Sequence, residues 1–309
     1  MANVIKISDF ALAATLECGQ AFRWHRHADG WFTGIVGHQV WRLRQIDDAL
    51  EWNCSRETES DETRLLRSAV ATFSRQNPAG RIREYDSRLQ KYLSLDLSLS
   101  DIFATFPDDP HLRQAARDHA GLRVLRQEPW ECLASFIASS SKQIVQIRQI
   151  VGLLAERFGE PIDAEHHAFP TVAAIARASH QQLWDCKLGF RAKNLLAAAR
   201  MIDSGQLDLH ALPSMDYDRA LEELMNLPGV GEKIANCVLL FSCGFHHAFP
   251  IDVWIERALR RIYFPGKQRV TARELRDFTR SHFGPYAGWA QQYLFFNERS
   301  IVARASRLS

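Results

Sequence analysis

A lysine in the first turn of an expected helix, with an aspartate nineteen residues further on, is the most chemically pointed pair in this 309-residue chain. The lysine, Lys233, follows Leu227-Pro228-Gly229-Val230-Gly231-Glu232. The amphipathic stretch 217–226 predicts one helix and 233–241 another. Pro228 stops the first, and the two glycines permit a tight turn with positive φ. The hairpin through Gly229, Val230 and Gly231 therefore aims bare backbone amides and a helix N-terminus at one place. That is an anion site suited to one phosphate of a nucleic-acid backbone, with no sequence readout. The positive end of the helix disfavours an ammonium there, so Lys233 is a candidate neutral amine and a nucleophile toward carbon. Asp252 follows Phe249-Pro250-Ile251 and precedes Val253-Trp254-Ile255-Glu256, the placement of an N-cap. Each residue alone has a bland reading, a surface lysine beside a turn and a structural cap. The combination is specific.

The elements that must position this pair change character once along the chain. Short alternating runs up to about residue 55, such as 30–36 and 39–43 with glycine punctuation, predict antiparallel strands and hairpins. Segments 59–74 and 81–92 read as helix and strand pieces of the same unit. Beyond Pro107 the period becomes helical, giving 110–119, 130–158, 172–178, 180–184 and 191–204 as well as the helices around the hairpin. The expectation is an α+β protein: an antiparallel sheet domain over 1–105, then a mainly helical domain over 106–309 that carries the helix–hairpin–helix. There is no internal repeat and no low-complexity linker.

Composition fits a folded chain, 46% hydrophobic and long enough for two cores. The net charge of +2 is unevenly spread: from Trp254 to Ser309 there are eleven Arg or Lys against four Asp or Glu. A basic C-terminal segment beside the hairpin suits a polyanion, although a solvated helix face gives the same count. The six cysteines have no zinc or iron–sulfur spacing, and none follows Cys243. They read as free thiols of a reducing compartment, with no metal and no cofactor expected. No apolar stretch reaches membrane-spanning length and no targeting pattern opens the chain, so a soluble intracellular protein is expected.

The motif Leu-Pro-Gly-Val-Gly-Glu-Lys with Pro-Ile-Asp-Val resembles the hairpin, lysine and aspartate of the helix–hairpin–helix DNA glycosylase superfamily. Gly19-Gln20-Ala21-Phe22-Arg23-Trp24, Gln127-Glu128-Pro129-Trp130-Glu131-Cys132, His167-Ala168-Phe169-Pro170, Leu188-Gly189-Phe190-Arg191-Ala192-Lys193 and Pro285-Tyr286-Ala287-Gly288-Trp289-Ala290-Gln291 follow in the order seen in 8-oxoguanine DNA glycosylases. The resemblance runs from about residue 10 to about residue 297. It implies a two-lobed helical body with the site in the cleft. It also implies a bifunctional glycosylase and abasic-site lyase acting as a monomer on double-stranded DNA that contains oxidised guanine. In that chemistry the nucleotide is flipped out, Asp252 stabilises charge developing at the sugar, Lys233 attacks C1′, and a Schiff base leads to β-elimination.

The resemblance further assigns base recognition. Gly19 matches the glycine whose carbonyl reads N7–H of 8-oxoguanine, Cys237 and Phe295 match the thiol and ring that sandwich the base, and Gln291 matches the amide at its Watson–Crick edge. Without the match these are a turn glycine, two core residues and a surface glutamine. On the opposite strand, Phe190 matches the intercalating wedge and Arg191 the arginine that contacts the orphaned base. The chain departs from the eukaryotic pattern at Ser141, where an asparagine fills the vacated stack, and at Gln146, where a second arginine reads the partner cytosine. Phe190 replaces a tyrosine and Trp254 a histidine. These changes look like the bacterial branch, which implies a bacterial cytoplasm or nucleoid, and they relax the expected choice of partner base. Ring-opened purines are further possible substrates. The alternatives are a glycosylase for another damaged purine, against which Lys233 and Gln291 argue, and a non-catalytic DNA-binding module. A small-molecule Schiff-base enzyme lacks any barrel pattern or cofactor loop here.

Overall fold

The structure, a computed structural model, describes residues 3–55 and 87–308. The alternating N-terminal runs form five strands: β1 Asn3–Lys6, β2 Trp24–Arg26, β3 Phe32–Val36, β4 Gln39–Ile46 and β5 Ala49–Cys54. They pair antiparallel throughout in the order β1-β5-β4-β3-β2. Two-residue connections set the register, with Val36 opposite Gln39 and Ile46 opposite Ala49. The two-residue period then puts Trp41 and Leu43 of β4 on the same face as Leu50 and Trp52 of β5. These side chains bury against Leu12 and Leu16 of helix α1 (Leu12–Glu17) and against Leu89, Leu93 and Leu125. Segments 59–74 and 81–86 lie outside the described residues; residues 87–92 form helix α2.

The rest is helical: α3 Leu99–Ala104, α4 Pro110–Asp118, α5 Pro129–Ser139, α6 Ile144–Phe158, α7 Val172–Arg177, α8 His180–Leu183, α9 Arg191–Asp203, α10 Tyr217–Met225, α11 Glu232–Phe241, α12 Val253–Tyr263, α13 Ala272–His282 and α14 Ala287–Leu308. Two helical cores result. One gathers apolar faces of α5 to α11 around Leu133, Ile137, Leu195 and Val238. The other packs α4 and α12 to α14 around Leu112, Leu259, Leu275, Phe283 and Tyr293. The α+β, two-lobed architecture expected from the sequence is the one observed.

One expectation is corrected. The periodic run 130–158 is two helices, because the chain breaks after Ser139 and restarts at Ile144. Three consecutive serines stand at the break, and serine hydroxyls compete for backbone groups. Ser139 Oγ donates to the Phe136 carbonyl at 2.7 Å, and Ser141 adopts φ 56°. Gln143 and Gln146 then start α6 with a reciprocal cap.

The two helical cores are joined where α14 starts. Gly288 donates its N–H to the His246 carbonyl at 2.9 Å, and a Cβ on it would lie 2.4 Å from Leu240 Cδ1 and 2.5 Å from the Ala248 carbonyl oxygen. Gly288→Ala should therefore lower stability by about 1–3 kcal/mol through overpacking. Urea unfolding checks this, and an unchanged midpoint contradicts the close approach.

Candidate active site

The hairpin between α10 and α11 forms as its residues dictate. Asn226 ends the first helix, Val230 donates its N–H to the Leu227 carbonyl at 3.1 Å, and Gly229 takes φ 79°. Gly229 must be glycine for a second reason: a Cβ would sit 2.5 Å from the Asn194 amide nitrogen. The Val230 amide expected to face an anion is instead bonded inside the turn, while the Gly231 amide and those of the first turn of α11 follow it at the helix start. Gly231 is the N-cap of α11 without a side-chain cap, and space beside its Cα is open. The first-turn amides of α11 have no intrahelical acceptor.

Lys233 is the second residue of α11, half-buried, with Nζ 4.8 Å from the centroid of the Phe136 ring. Cys237, one turn later, is buried within hydrogen-bonding reach of the lysine. Burial pushes its thiol up to about 11 against the pull of Lys233, so it is a neutral, polarisable surface at pH 7. Asp252 caps α12, its Oδ1 accepting from the Ile255 N–H at 2.8 Å. Burial raises the Asp252 carboxyl above its ordinary range. The Ile255 amide, the Lys233 charge, the Trp254 amide and the Arg299 charge all pull it back. Lysine and aspartate thus stand within electrostatic reach of each other at two helix N-termini.

Gly19 takes φ 85° in the turn after α1. A Cβ placed on it would lie 2.9 Å from Ile144 Cδ1, 3.4 Å from Arg299 Nη1 and 3.5 Å from Phe295 Cε1. Phe295 and Gln291 lie one turn apart on α14. Gln291 is buried, and its Oε1 has no hydrogen-bond partner. An unpaired buried carbonyl is costly in a folded protein and is what a site awaiting a donor looks like. Gly19 and Phe295 therefore lie side by side, Cys237 lies with Lys233 and Asp252, and Arg299, which reaches Gly19 and acts on Asp252, links the two groups.

A second group lies on the neighbouring surface. Phe190 is 64% exposed on a turn where Lys187 and Gly189 both have positive φ. Arg191 is buried: Nε donates to the Ser140 carbonyl at 2.6 Å, Nη2 donates to the same oxygen, and Nη1 donates to the Leu188 carbonyl at 3.2 Å. Its guanidinium covers the Phe190 ring at 4.2 Å. Ser141 is exposed on the loop that Arg191 holds, and Gln146 is exposed with Oε1 turned to the Gln143 N–H at 3.2 Å.

The sequence reading missed two residues. Gln20, fully buried, accepts from the Leu125 N–H and donates to the Thr15 and Arg123 carbonyls, fixing the Gly19 turn. Arg299 enters the pocket itself; its spacing of four from Phe295 and eight from Gln291 was the available signal. Among the described residues, no group of three or more His, Cys, Asp or Glu side chains is arranged to hold a metal, and no helix is long and apolar enough to cross a membrane.

Two family models match in succession: the 8-oxoguanine DNA glycosylase N-terminal domain over residues 3–133 and the HhH-GPD superfamily of base excision DNA repair proteins over 134–281. The fold and the hairpin site are thus those of a helix–hairpin–helix repair protein. A probable N-glycosylase/DNA lyase of Methanothermobacter thermautotrophicus is 31% identical over 72% of this chain and 81% of its own length. N-glycosylase/DNA lyase OGG1 of Arabidopsis thaliana is 29% identical over 94% and 78%. The 8-oxoguanine glycosylase/lyase of Clostridium acetobutylicum, solved with double-stranded DNA containing cytosine opposite 8-oxoguanine, superposes at TM-score 0.83. It is 30% identical and covers 97% of this chain and 98% of that one. The chain belongs to the 8-oxoguanine DNA glycosylase family.

The electrostatics give a direct check. Asp252 should titrate above the ordinary aspartate value of 3.8 when its carboxyl carbon is followed by NMR. Lys233→Gln should move that midpoint higher still, because the carboxylate loses a cation that favours its charged form. A midpoint at or below 3.8, or one that falls in the variant, contradicts the shared environment.

Proposed function

We propose that this protein is a bifunctional DNA glycosylase and abasic-site lyase that removes 8-oxoguanine from double-stranded DNA in base excision repair. The observation that supports the reading is that Lys233 and Asp252, at two helix N-termini, lie within electrostatic reach of each other and of Cys237, with Arg299 linking Asp252 to the Gly19 turn and Phe295. The hairpin amides from Gly231 onward hold a backbone phosphate, leaving the nucleotide free to rotate out of the stack. Cys237 and Phe295 take its two faces. Gln291 offers its unpaired carbonyl to the N–H groups of the Watson–Crick edge, and Gly19 offers a backbone carbonyl to N7–H.

As the C1′–N9 bond breaks, the purine leaves with the bonding pair and takes up a proton. Positive charge develops on the sugar beside the Asp252 carboxylate, where a fixed negative group costs no reorganisation. The Lys233 amine, having given up a proton, bonds to C1′. Ring opening converts the adduct to a Schiff base, and loss of a C2′ proton expels the 3′ phosphate. Lysine, rather than water, as the attacking group makes the strand nick intrinsic to the mechanism. The same reading takes the protein as a monomer inside a bacterial cell, with a sheet unit to about residue 105 packed on a catalytic helical unit.

Lys233→Gln should abolish both base release and nicking yet leave binding to lesion duplexes within about threefold, since the hairpin backbone holds the phosphate. Borohydride should trap a covalent DNA complex with the wild type only. Trapping that persists in the variant assigns the nucleophile elsewhere.

Partner-base choice follows from Gln146. A neutral amide both donates and accepts, so it penalises a wrong partner less than an arginine fork, where each good contact discriminates by about 1–3 kcal/mol. Excision opposite cytosine should exceed excision opposite thymine, guanine or adenine only modestly. Gln146→Arg should widen the gap, more so with Ser141→Asn. Rejection of adenine by about a thousandfold in the wild type rules out this account.

A further inference from the structure

One half-buried cation beside Gly19 and Phe295 has no assigned task. Arg299 Nη1 is shielded from solvent and has no hydrogen-bond partner. Its guanidinium lies 5.5 Å from the centroid of the Phe295 ring, and Nη1 stands 3.4 Å from where a Gly19 Cβ would be. Burying a guanidinium donor unpaired is expensive, so its persistence calls for an acceptor that arrives with a ligand. The groups that act on it are Asp252, Cys18 and Arg148. Cys18 is fully buried, donates to the Thr15 carbonyl and is pushed up to about 11 by burial, so it brings no negative charge at pH 7. Arg148 repels.

The direction of the missing acceptor follows from α14. Gln291, Phe295 and Arg299 recur every four residues, which places them along one stripe at a rise of about 6 Å per step. Gln291 stands at the end for the Watson–Crick edge, Phe295 underlies the ring, and Arg299 stands at the far end beside Gly19. That end receives N7 in the function proposed above, and C8 is the ring atom next to N7. Resting on that reading, we propose that Arg299 is a specificity-determining residue whose guanidinium donates a hydrogen bond to the oxygen on C8 of the flipped purine. Undamaged guanine carries only hydrogen at C8 and leaves the donor unpaired, so the same contact that holds the oxidised base disfavours the normal one. The formyl oxygen of a ring-opened purine offers the same acceptor.

Arg299 also lies within electrostatic reach of Asp252, so the test must separate base reading from support of the carboxylate. Single-turnover excision is measured on duplexes carrying 8-oxoguanine or 8-thioguanine opposite cytosine, and strand nicking on a duplex with a preformed abasic site. Arg299→Leu should slow 8-oxoguanine release by about tenfold to a hundredfold. Release of 8-thioguanine, whose sulfur is a weak acceptor, should slow by less than about threefold. Abasic nicking should fall by less than about threefold, the part owed to the charge removed from beside Asp252, which also shows the variant to be folded. Arg299→Lys should recover part of the 8-oxoguanine rate. Equal losses on both bases and on the abasic duplex, with a displaced acid limb, would place Arg299 behind Asp252 and overturn the proposal, as would unchanged 8-oxoguanine release. A wild type that forms no borohydride-trapped adduct would instead strike down the glycosylase/lyase reading beneath it.

Discussion

Seven residues, Cys18 to Trp24, put side chains into three separate cores, and the geometry of the pocket depends on that. Cys18 packs with the α12–α14 lobe, Phe22 with the α5–α11 lobe, and Ala21 and Trp24 with the sheet. Gly19 and Gln20 lie between these anchors. Two of Gln20's amide bonds, both 2.8 Å, tie the segment to the stretch 123–125, and a third, at 2.9 Å, ties it to the Thr15 carbonyl. Arg23 adds a donation to the His167 carbonyl and an ion pair with Glu131 at 3.5 Å. Close-packed interiors transmit displacement rather than absorb it. A shift of either lobe against the sheet is therefore felt at Gly19, the residue proposed above to read N7–H. Ala11 and Gly121 strengthen the same junction through a backbone bond of 2.8 Å.

The lysine–aspartate pair exploits helix starts in different ways. For Asp252 the N-terminus of α12 is favourable: the Ile255 amide satisfies the carboxylate and the helix end attracts its charge. Lys233 instead stands in the first turn of α11, whose amides are left open by an N-cap with no side-chain bond. Together the two helix starts bring a carboxylate and a lysine within electrostatic reach of each other. Burial works against this by raising Asp252, and the Lys233 and Arg299 charges keep the shift in check. Arg276 completes the arrangement from outside by pairing with Glu232 at 3.0 Å, which fastens α13 to the first residue of α11.

Local signals were enough to read most of this in the sequence. The Pro228-Gly229 break, the Asp252 cap and the sheet's alternation are each set by a few neighbouring residues, and each is found where expected. What escaped depended on distant partners. The run 130–158 keeps one helical period on both sides of its break, so periodicity could not show that Ser139 to Ser141 would end α5. Gln20 read as a motif letter because its task is set by Thr15, Arg123 and Leu125, up to 105 positions away. Arg191 carried a DNA-facing role by family likeness, and in the free protein three of the five N–H donors of its guanidinium go to the Ser140 and Leu188 carbonyls. Arg299 read as one more charge in a basic C-terminal stretch, because spacing from Gln291 has meaning only once α14 is known to face the pocket.

The Arg191 bonds change how the opposite-strand surface works. Phe190 is an aromatic ring left 64% exposed, an arrangement that hydrophobic burial alone would remove. It stays outside because Lys187 and Gly189 turn the backbone through positive φ just before it, and because the Arg191 guanidinium covers its inner face at 4.2 Å. The same guanidinium grips the Ser140 carbonyl, so the wedge turn and the serine loop form one unit although they are about fifty residues apart. Val145, 74% exposed at the start of α6, belongs to the same surface. In the proposed DNA complex, insertion of Phe190 thus carries Ser141 and Gln146 along with it. Wedge depth and the choice of orphaned base become a single coordinate, whereas Lys233 and Asp252, held by the lobes behind, need not move for the wedge to enter.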